Sequence, residues 1–197
     1  MIIDQRSIDL MRFLYPEFEK RARRALGSFN ARGRYSIRVN ETLRGIKRQE
    51  KLFAIGRTVK GAGATEKLPM GRIVTKAEAW KSYHHYGLAI CCVFQGADPY
   101  LLKEDKQRAG AAWQALGACF TAEGLTWGGR WGFGDMGHAE LQVDIKLDEM
   151  KRIVMEGGQG LLPLWTELDR ILGVPRSWGG AKDFSRPATN ELLLGEP

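Results

Sequence analysis

No apolar run in this 197-residue chain approaches the roughly 20 residues a membrane-spanning helix needs, so stable insertion in a bilayer is not expected. The opening residues, Met1-Ile2-Ile3-Asp4, lack a basic stretch followed by an apolar one, so no signal peptide is expected. Cysteine is scarce: Cys91, Cys92 and Cys119 are an odd number, two of them adjacent, which is not a disulfide framework and suits a reducing cytoplasm. Histidine is equally scarce, with three in the chain. There is no internal repeat and no linker long enough to separate two folding units. The expected organisation is one domain over residues 1–173, followed by an extension over 174–197 that is mostly loop.

What is present is ordinary globular composition. Hydrophobic residues at 44% and charged residues at 27% give enough apolar material for a proper core and argue against wholesale disorder. The formal charge of +7 and an isoelectric point near 9.5 favour an anionic partner such as nucleic acid, a membrane surface or a cell wall. No recognisable nucleic-acid-binding motif accompanies the charge, so nucleic acid is not the expected partner.

Asp4 is placed to cap a short helix that turns Ile8, Leu10, Met11 and Leu14 inward. Pro16 suits the first turn of a second helix, from about Tyr15 to Ala31, with Phe18, Ala22, Ala25, Leu26 and Phe29 at helical spacing. Its opposite face carries Lys20, Arg21, Arg23 and Arg24, a solvated charged face. Gly33 ends this helix. Tyr35 to Asn40 reads as a strand with Tyr35, Ile37 and Val39 on one side. Gly56 to Thr75 has little periodicity and reads as a long loop, with Arg72 to Thr75 briefly extended. Tyr86 to Phe94 reads as a buried strand in which Gly87 and Ala89 allow close backbone approach. Helices are expected over 101–123, 147–156 and 161–172, and short strands at 125–127 and 138–143.

The three histidines lie in two stretches, Ser82 to Cys91 and Trp127 to Glu140. His84 is followed seven residues later by Cys91, and the distant His138 follows Asp135 by three. A histidine, a soft or carboxylate donor, and a second histidine preceded by an aspartate are what a catalytic zinc site requires: three protein ligands, one open position for water, and a base. Adjacent strand residues face opposite sides, so only one of Cys91 and Cys92 faces His84 readily. The competing readings are an inert buried cysteine in a degenerate site, or a metal held with help from Cys92.

These stretches also carry a resemblance. Ser82, His84, Gly87, Ala89 and Cys91 resemble the Ser-x-His-x-x-Gly-x-Ala-x-Asp signature of the zinc D-alanyl-D-alanine carboxypeptidase and L-alanyl-D-glutamate peptidase superfamily. Trp127-Gly128-Gly129-Arg130-Trp131, Asp135, His138 and Glu140 resemble its Trp-Gly-Gly-Asp-Trp…Asp-x-Pro-His-Phe-Glu block. The segment Glu41 to Phe53 resembles the one in which an arginine leaves a strand and a glutamine lies in the next helix, here Arg44 and Gln49. The likeness covers about Leu14 to Gly157 and is nearest to phage endolysins. Cys91 stands where the family has its zinc-binding aspartate, and Arg130 where aspartate usually follows Gly-Gly.

The resemblance implies Zn2+ held by His84, Cys91 and His138, with Cys91 rather than Cys92 in register. It implies Asp135 as the base, and Arg44 as the group that holds substrate or steadies an oxyanion. His85 is then not a ligand, Glu140 supports His138, and Ser82 holds its loop. The expected fold is α+β, with helices packed around a small, mainly antiparallel sheet that carries the zinc site near its centre. The expected function is zinc-dependent hydrolysis of the peptidoglycan stem peptide by a monomeric phage endolysin. Such a protein is made in the cytoplasm and acts on the wall and periplasm during host lysis, after membrane permeabilisation. The second reading is a catalytically impaired relative whose basic surface grips an anionic wall polymer.

Overall fold

The computed structural model describes residues 3–175. Helix α1 (Gln5–Met11) begins where the Asp4 carboxylate accepts from the Ser7 amide at 3.0 Å. Met11 is buried as expected and Leu10 packs partly buried against the core, but the other buried residue of α1 is Ser7 rather than Ile8, which is half-buried. Ser7 can sit inside because its hydroxyl is fully used: it donates to Asp4 Oδ2 at 2.6 Å and accepts from the Val39 amide at 2.8 Å. Helix α2 (Pro16–Asn30) buries Phe18, Ala22, Ala25, Leu26 and Phe29 as its spacing predicts. Its basic face is ion-paired: Arg21 with Glu17, Arg23 with Glu19, and Arg24 with Glu123.

Strand β1 (Ile37–Glu41) leads to α3 (Ile46–Ala54) and then to the expected loop. Residues 72–75 form no strand there. Strand β2 is shorter than expected, Ala89–Phe94, because Tyr83–Tyr86 wind into a single 3-10 turn. Gly87 ends that turn at φ +68°, where a side chain would lie 2.9 Å from the Phe13 carbonyl oxygen and 3.1 Å from Trp165. Gly87 is therefore required by helix packing and a left-handed turn rather than by closeness to a metal. Residues 101–105 are not helical: the Asp98 carboxylate takes up the amides of Leu102 and Lys103 in a turn. Helix α4 (Lys106–Ala122) starts from the Asp105 cap. Strands β3 (Thr126–Trp127) and β4 (His138–Glu140) are short, and α5 (Leu147–Gly157) and α6 (Leu162–Leu172) follow. Of the expected extension over 174–197, all but Val174 and Pro175 lies outside the described residues.

The four strands form one antiparallel sheet in the order β1-β2-β4-β3. Period-two alternation gives it two unlike faces. Ile37 and Val39 of β1, Ile90, Cys92 and Phe94 of β2, Ala139 of β4 and Trp127 of β3 join the hydrophobic core, together with residues of α2 and α4. The other face carries Cys91 paired with His138, and Ala89 paired with Glu140. The chain is thus α+β, helices around a small antiparallel sheet. Among the described residues no helix is long and apolar enough to cross a membrane.

Within the helical layer, the start of α2 is tied to α6 by a buried polar contact: the Tyr15 hydroxyl donates to Asp169 Oδ1 at 2.6 Å. Burial, then the Asp169 hydrogen bond, pushes the Tyr15 phenol well above its usual range, so it stays a donor. The second oxygen, Asp169 Oδ2, is buried without a partner among the described residues. Replacing Tyr15 by Phe strips this carboxyl of its donor. The expected cost is about 1–3 kcal/mol of unfolding free energy, read from the denaturant midpoint.

Candidate metal centre

Local chemistry sets each donor. The 3-10 turn is capped by Ser82, whose hydroxyl accepts from the His84 amide at 3.4 Å. Within it His84 and His85 are both buried and both point their Nδ1 at the connection after β1. His84 Nδ1 lies 2.5 Å from the Thr42 carbonyl oxygen, and His85 Nδ1 lies 2.7 Å from that of Arg44. A carbonyl only accepts, so both Nδ1 atoms carry the proton and both Nε2 atoms hold a lone pair. Burial, opposed only in part by the Thr42 hydrogen bond, holds the His84 pKa well below its usual value, and burial lowers that of His85 to about 4. Both imidazoles are neutral at physiological pH.

The antiparallel pairing of β2 with β4 places Cys91 directly across from His138. Cys91 Sγ is 3.3 Å from His84 Nε2 and 3.6 Å from His138 Nδ1. All three donor atoms lie within 4.8 Å of one another. The far nitrogen of His138, Nε2, meets Glu140 Oε2 at 3.0 Å, which makes Nε2 the protonated nitrogen and turns the lone pair of Nδ1 toward Cys91. Glu140 reaches it because residues two apart on a strand share a face. Cys92 turns the opposite way, into the core, and His85 stands beside Trp80 with ring centroids 6.0 Å apart.

This donor set fits zinc. One thiolate and two imidazoles bound tetrahedrally at about 2.3 Å and 2.0 Å would hold sulfur and nitrogen roughly 3.5 Å apart. The observed separations of 3.3 and 3.6 Å bracket that value. Each ligating imidazole has its other nitrogen anchored, to a carbonyl for His84 and a carboxylate for His138, the arrangement that orients metal-binding histidines.

A cavity of about 420 Å³ reaches the cluster at Cys91, with Glu41, Tyr100, Asp135 and Met136 also among its lining residues. Asp135 is exposed on its wall, in a turn fixed by Asp135 N to Gly128 O at 3.0 Å and His138 N to Asp135 O at 3.2 Å. It is close enough for its charge to act on Cys91. Burial first, then the Asp135 charge, pushes the Cys91 thiol up to about 12, with Arg44 opposing. Gly137 precedes His138 where a side chain would meet the Cys92 carbonyl oxygen at 2.3 Å, so a residue without Cβ lets β4 close on β2.

Arg44 is brought to the same place with its side chain about 10% exposed, its Nη1 donating to Gln49 Oε1 at 2.8 Å. Its main partner is one the sequence did not suggest. Glu41 Oε2 accepts from both Arg44 Nε, at 3.0 Å, and Arg44 Nη2. The motif residue Arg130 is exposed, next to Trp131, whose ring centroid is 4.9 Å from that of His138. Strand alternation put Glu41 on the core side with Ile37 and Val39, so no pattern in the sequence marked it.

Comparison with known proteins agrees with this geometry. Residues 75–141 match a family model described as D-alanyl-D-alanine carboxypeptidase, a span that contains all three donors and Asp135. The chain is 32% identical over 108 residues to the peptidoglycan L-alanyl-D-glutamate endopeptidase CwlK of Bacillus subtilis (strain 168), covering 52% of this chain. It spans 59% of that relative's length. The crystal structure of the Serratia marcescens L-Ala D-Glu endopeptidase ChiX aligns over 70% of this chain and 87% of its own, with a TM-score of 0.46 and 19% identity. Over residues 75–141 this chain is thus similar to D-alanyl-D-alanine carboxypeptidases, and over 108 residues to an L-alanyl-D-glutamate endopeptidase.

A buried thiol that ligates as thiolate must give up its proton, whereas an aspartate in its place is already ionised at neutral pH. Zinc titration of the metal-free protein at pH 7, by calorimetry in buffers of different ionisation enthalpy, should show about one more proton released than from Cys91→Asp. Equal release from both would mean that Cys91 does not ligate.

Proposed function

We propose that this protein is a zinc-dependent peptidase that hydrolyses an amide bond in the peptide stem of peptidoglycan. The observation that carries the reading is the convergence of His84 Nε2, Cys91 Sγ and His138 Nδ1 at the edge of a cavity that also holds Asp135. Those three residues would hold the ion, and zinc bound there supplies Lewis acidity toward a scissile carbonyl and a hydrolytic water. Asp135, exposed on the cavity wall, takes the proton from the attacking water and returns it to the leaving amine. Arg44 presents a fixed guanidinium to the carbonyl oxygen or to a neighbouring substrate carboxylate. Glu140 keeps His138 in the tautomer whose lone pair faces Cys91.

The finer reading is cleavage between L-alanine and D-glutamate, supported by the activity named for the Bacillus relative. That bond sets a carboxylate of the D-glutamyl residue beside the reacting carbonyl, which suits Arg44. A phage endolysin, made in the cytoplasm and acting on the wall as a monomer once the membrane is permeable, remains the biological setting that the sequence resemblance supports. The alternative of a polyanion-gripping relative draws less support from α2, since Arg21, Arg23 and Arg24 are neutralised by glutamates.

Purified protein should bind one zinc ion, and His84→Ala or His138→Ala should lose it by elemental analysis. Asp135→Ala should keep the metal while its release of stem fragments from peptidoglycan, read by mass spectrometry, falls by about 10²–10⁴-fold. Full turnover in that variant would remove Asp135 from the mechanism, and loss of metal would make it a ligand.

Cys91→Asp should keep zinc and activity, since the ligand's single negative charge is preserved and the shorter bond asks for a shift of only a few tenths of an ångström. Cys91→Ser should lose much of the zinc affinity, because a neutral hydroxyl is a poor ligand. Cys92→Ser should leave metal affinity unchanged, because that side chain lies in the core. Unaltered affinity in Cys91→Ser would exclude it from the ligand set.

A further inference from the structure

The pairing of β1 with β2 is interrupted at one residue. Val39 lies opposite Cys92, yet Glu41 lies opposite Cys91, which leaves Asn40 as an extra residue in β1. In an uninterrupted ladder Glu41 would share the core side with Ile37 and Val39, and a carboxylate there would be buried among apolar groups. The bulge turns it onto the Cys91 face, where it lines the cavity with Cys91 and Asp135.

Once there, both carboxylate oxygens are occupied. Oε2 accepts from Arg44 Nε and Nη2, and Oε1 accepts from Arg48 Nε. The side chains of Arg44 and Glu41 are about 10% and 14% exposed, so this ion pair is largely screened from water. A second support closes the network: Gln49, fully buried, accepts from Arg44 Nη1 through Oε1 and donates through Nε2 to the Ala77 carbonyl at 2.6 Å. Three of the five N–H groups of Arg44 are thereby held by the protein. Arg44 also reaches Cys91, a residue of the cavity wall, by a side-chain hydrogen bond.

We propose that Glu41 is a positioning residue: the bulge at Asn40 aims its carboxylate so that it clamps Arg44 in the plane from which the guanidinium engages the substrate. Glu41 is not a second base. Each of its oxygens already accepts from an arginine, whose charge favours the carboxylate over the protonated form and makes it a poor base, and that work falls to Asp135. The clamp also answers a local problem of charge. An unpaired guanidinium beside Cys91 would add a full positive charge next to the metal ligands, while one paired with Glu41 adds little net charge there.

The role in catalysis rests on the peptidase reading above; the clamp itself does not, so the test has two arms. The first is the 15N–1H signal of Arg44 Nε in the metal-free protein, identified by its absence from Arg44→Lys. It should be shifted and slowly exchanging in the native chain, and should collapse to the position of a free arginine in Glu41→Gln. The second is hydrolysis of a purified stem peptide. Glu41→Gln should retain zinc and lose about 10- to 100-fold in kcat/KM, mostly in kcat. Glu41→Asp, which keeps the charge on a shorter arm, should recover part of the loss and serves in both arms should Glu41→Gln not fold. In the Arg44→Lys background, Glu41→Gln should cost little more. An unmoved Nε signal, or an undiminished cost in the Arg44→Lys background, would overturn the proposal. A native protein that cleaves no stem peptide would sink the peptidase reading instead, and the Nε signal would still decide the clamp.

Discussion

The centre depends on one antiparallel register, that of β2 on β4. Cys91 sits across from His138, and Ile90 across from Ala139. Because strand side chains alternate with period two, a slip of one residue would bring Cys92 to the site and turn His138 toward the apolar core. The register is held from the opposite face, where Ile90, Cys92, Phe94, Ala139 and Trp127 belong to the core. Trp127 adds a hydrogen bond from Nε1 to the Met136 carbonyl at 2.8 Å, which pins the glycine-rich loop that delivers Asp135 and His138. Hydrophobic burial on one side of the sheet thus fixes polar geometry on the other.

His84 arrives by a different route, through the 3-10 turn. Trp165 of α6 donates to the Tyr86 carbonyl at 3.0 Å, and the Tyr15 amide donates to that of Gly87 at 2.9 Å. The turn is therefore gripped by the helical layer. From it, His84 and His85 reach the carbonyls of Thr42 and Arg44, so the paired histidines staple the chain between β1 and α3. A single short segment thus carries the candidate donor His84 in its turn and holds the backbone of Arg44. Burial keeps both imidazoles neutral, which leaves the His84 lone pair ready for a cation.

Much of this was legible beforehand. Helices α2, α5 and α6 follow their apolar spacing, because a single amphipathic stripe meets a single core. The candidate donors stood out because the chain has so few histidines and cysteines, and the structure gathers two of the three histidines and one of the three cysteines at one point. Other expectations failed for local reasons. Ser7 replaced Ile8 inside α1 because two hydrogen bonds made a hydroxyl cheap to bury. The apolar stretch from Tyr86 did not begin a strand, because the left-handed Gly87 and the fit against Trp165 required a turn first. Leu101 and Leu102 did not extend α4, because the Asp98 carboxylate captured the amides a helix would have used.

The sequence by itself determined the chemistry available: two imidazoles, a thiol and a carboxylate at spacings that two strands and a turn can bring together, with a cationic side chain nearby. Those facts depend on residue identity and short-range periodicity, and both can be read along a chain. Only the tertiary structure decided which nitrogen of each histidine is free, since that depends on which carbonyl or carboxylate lies behind it. Only the tertiary structure brought Glu41 to Arg44, because a one-residue bulge reverses strand alternation and leaves no mark in composition or period.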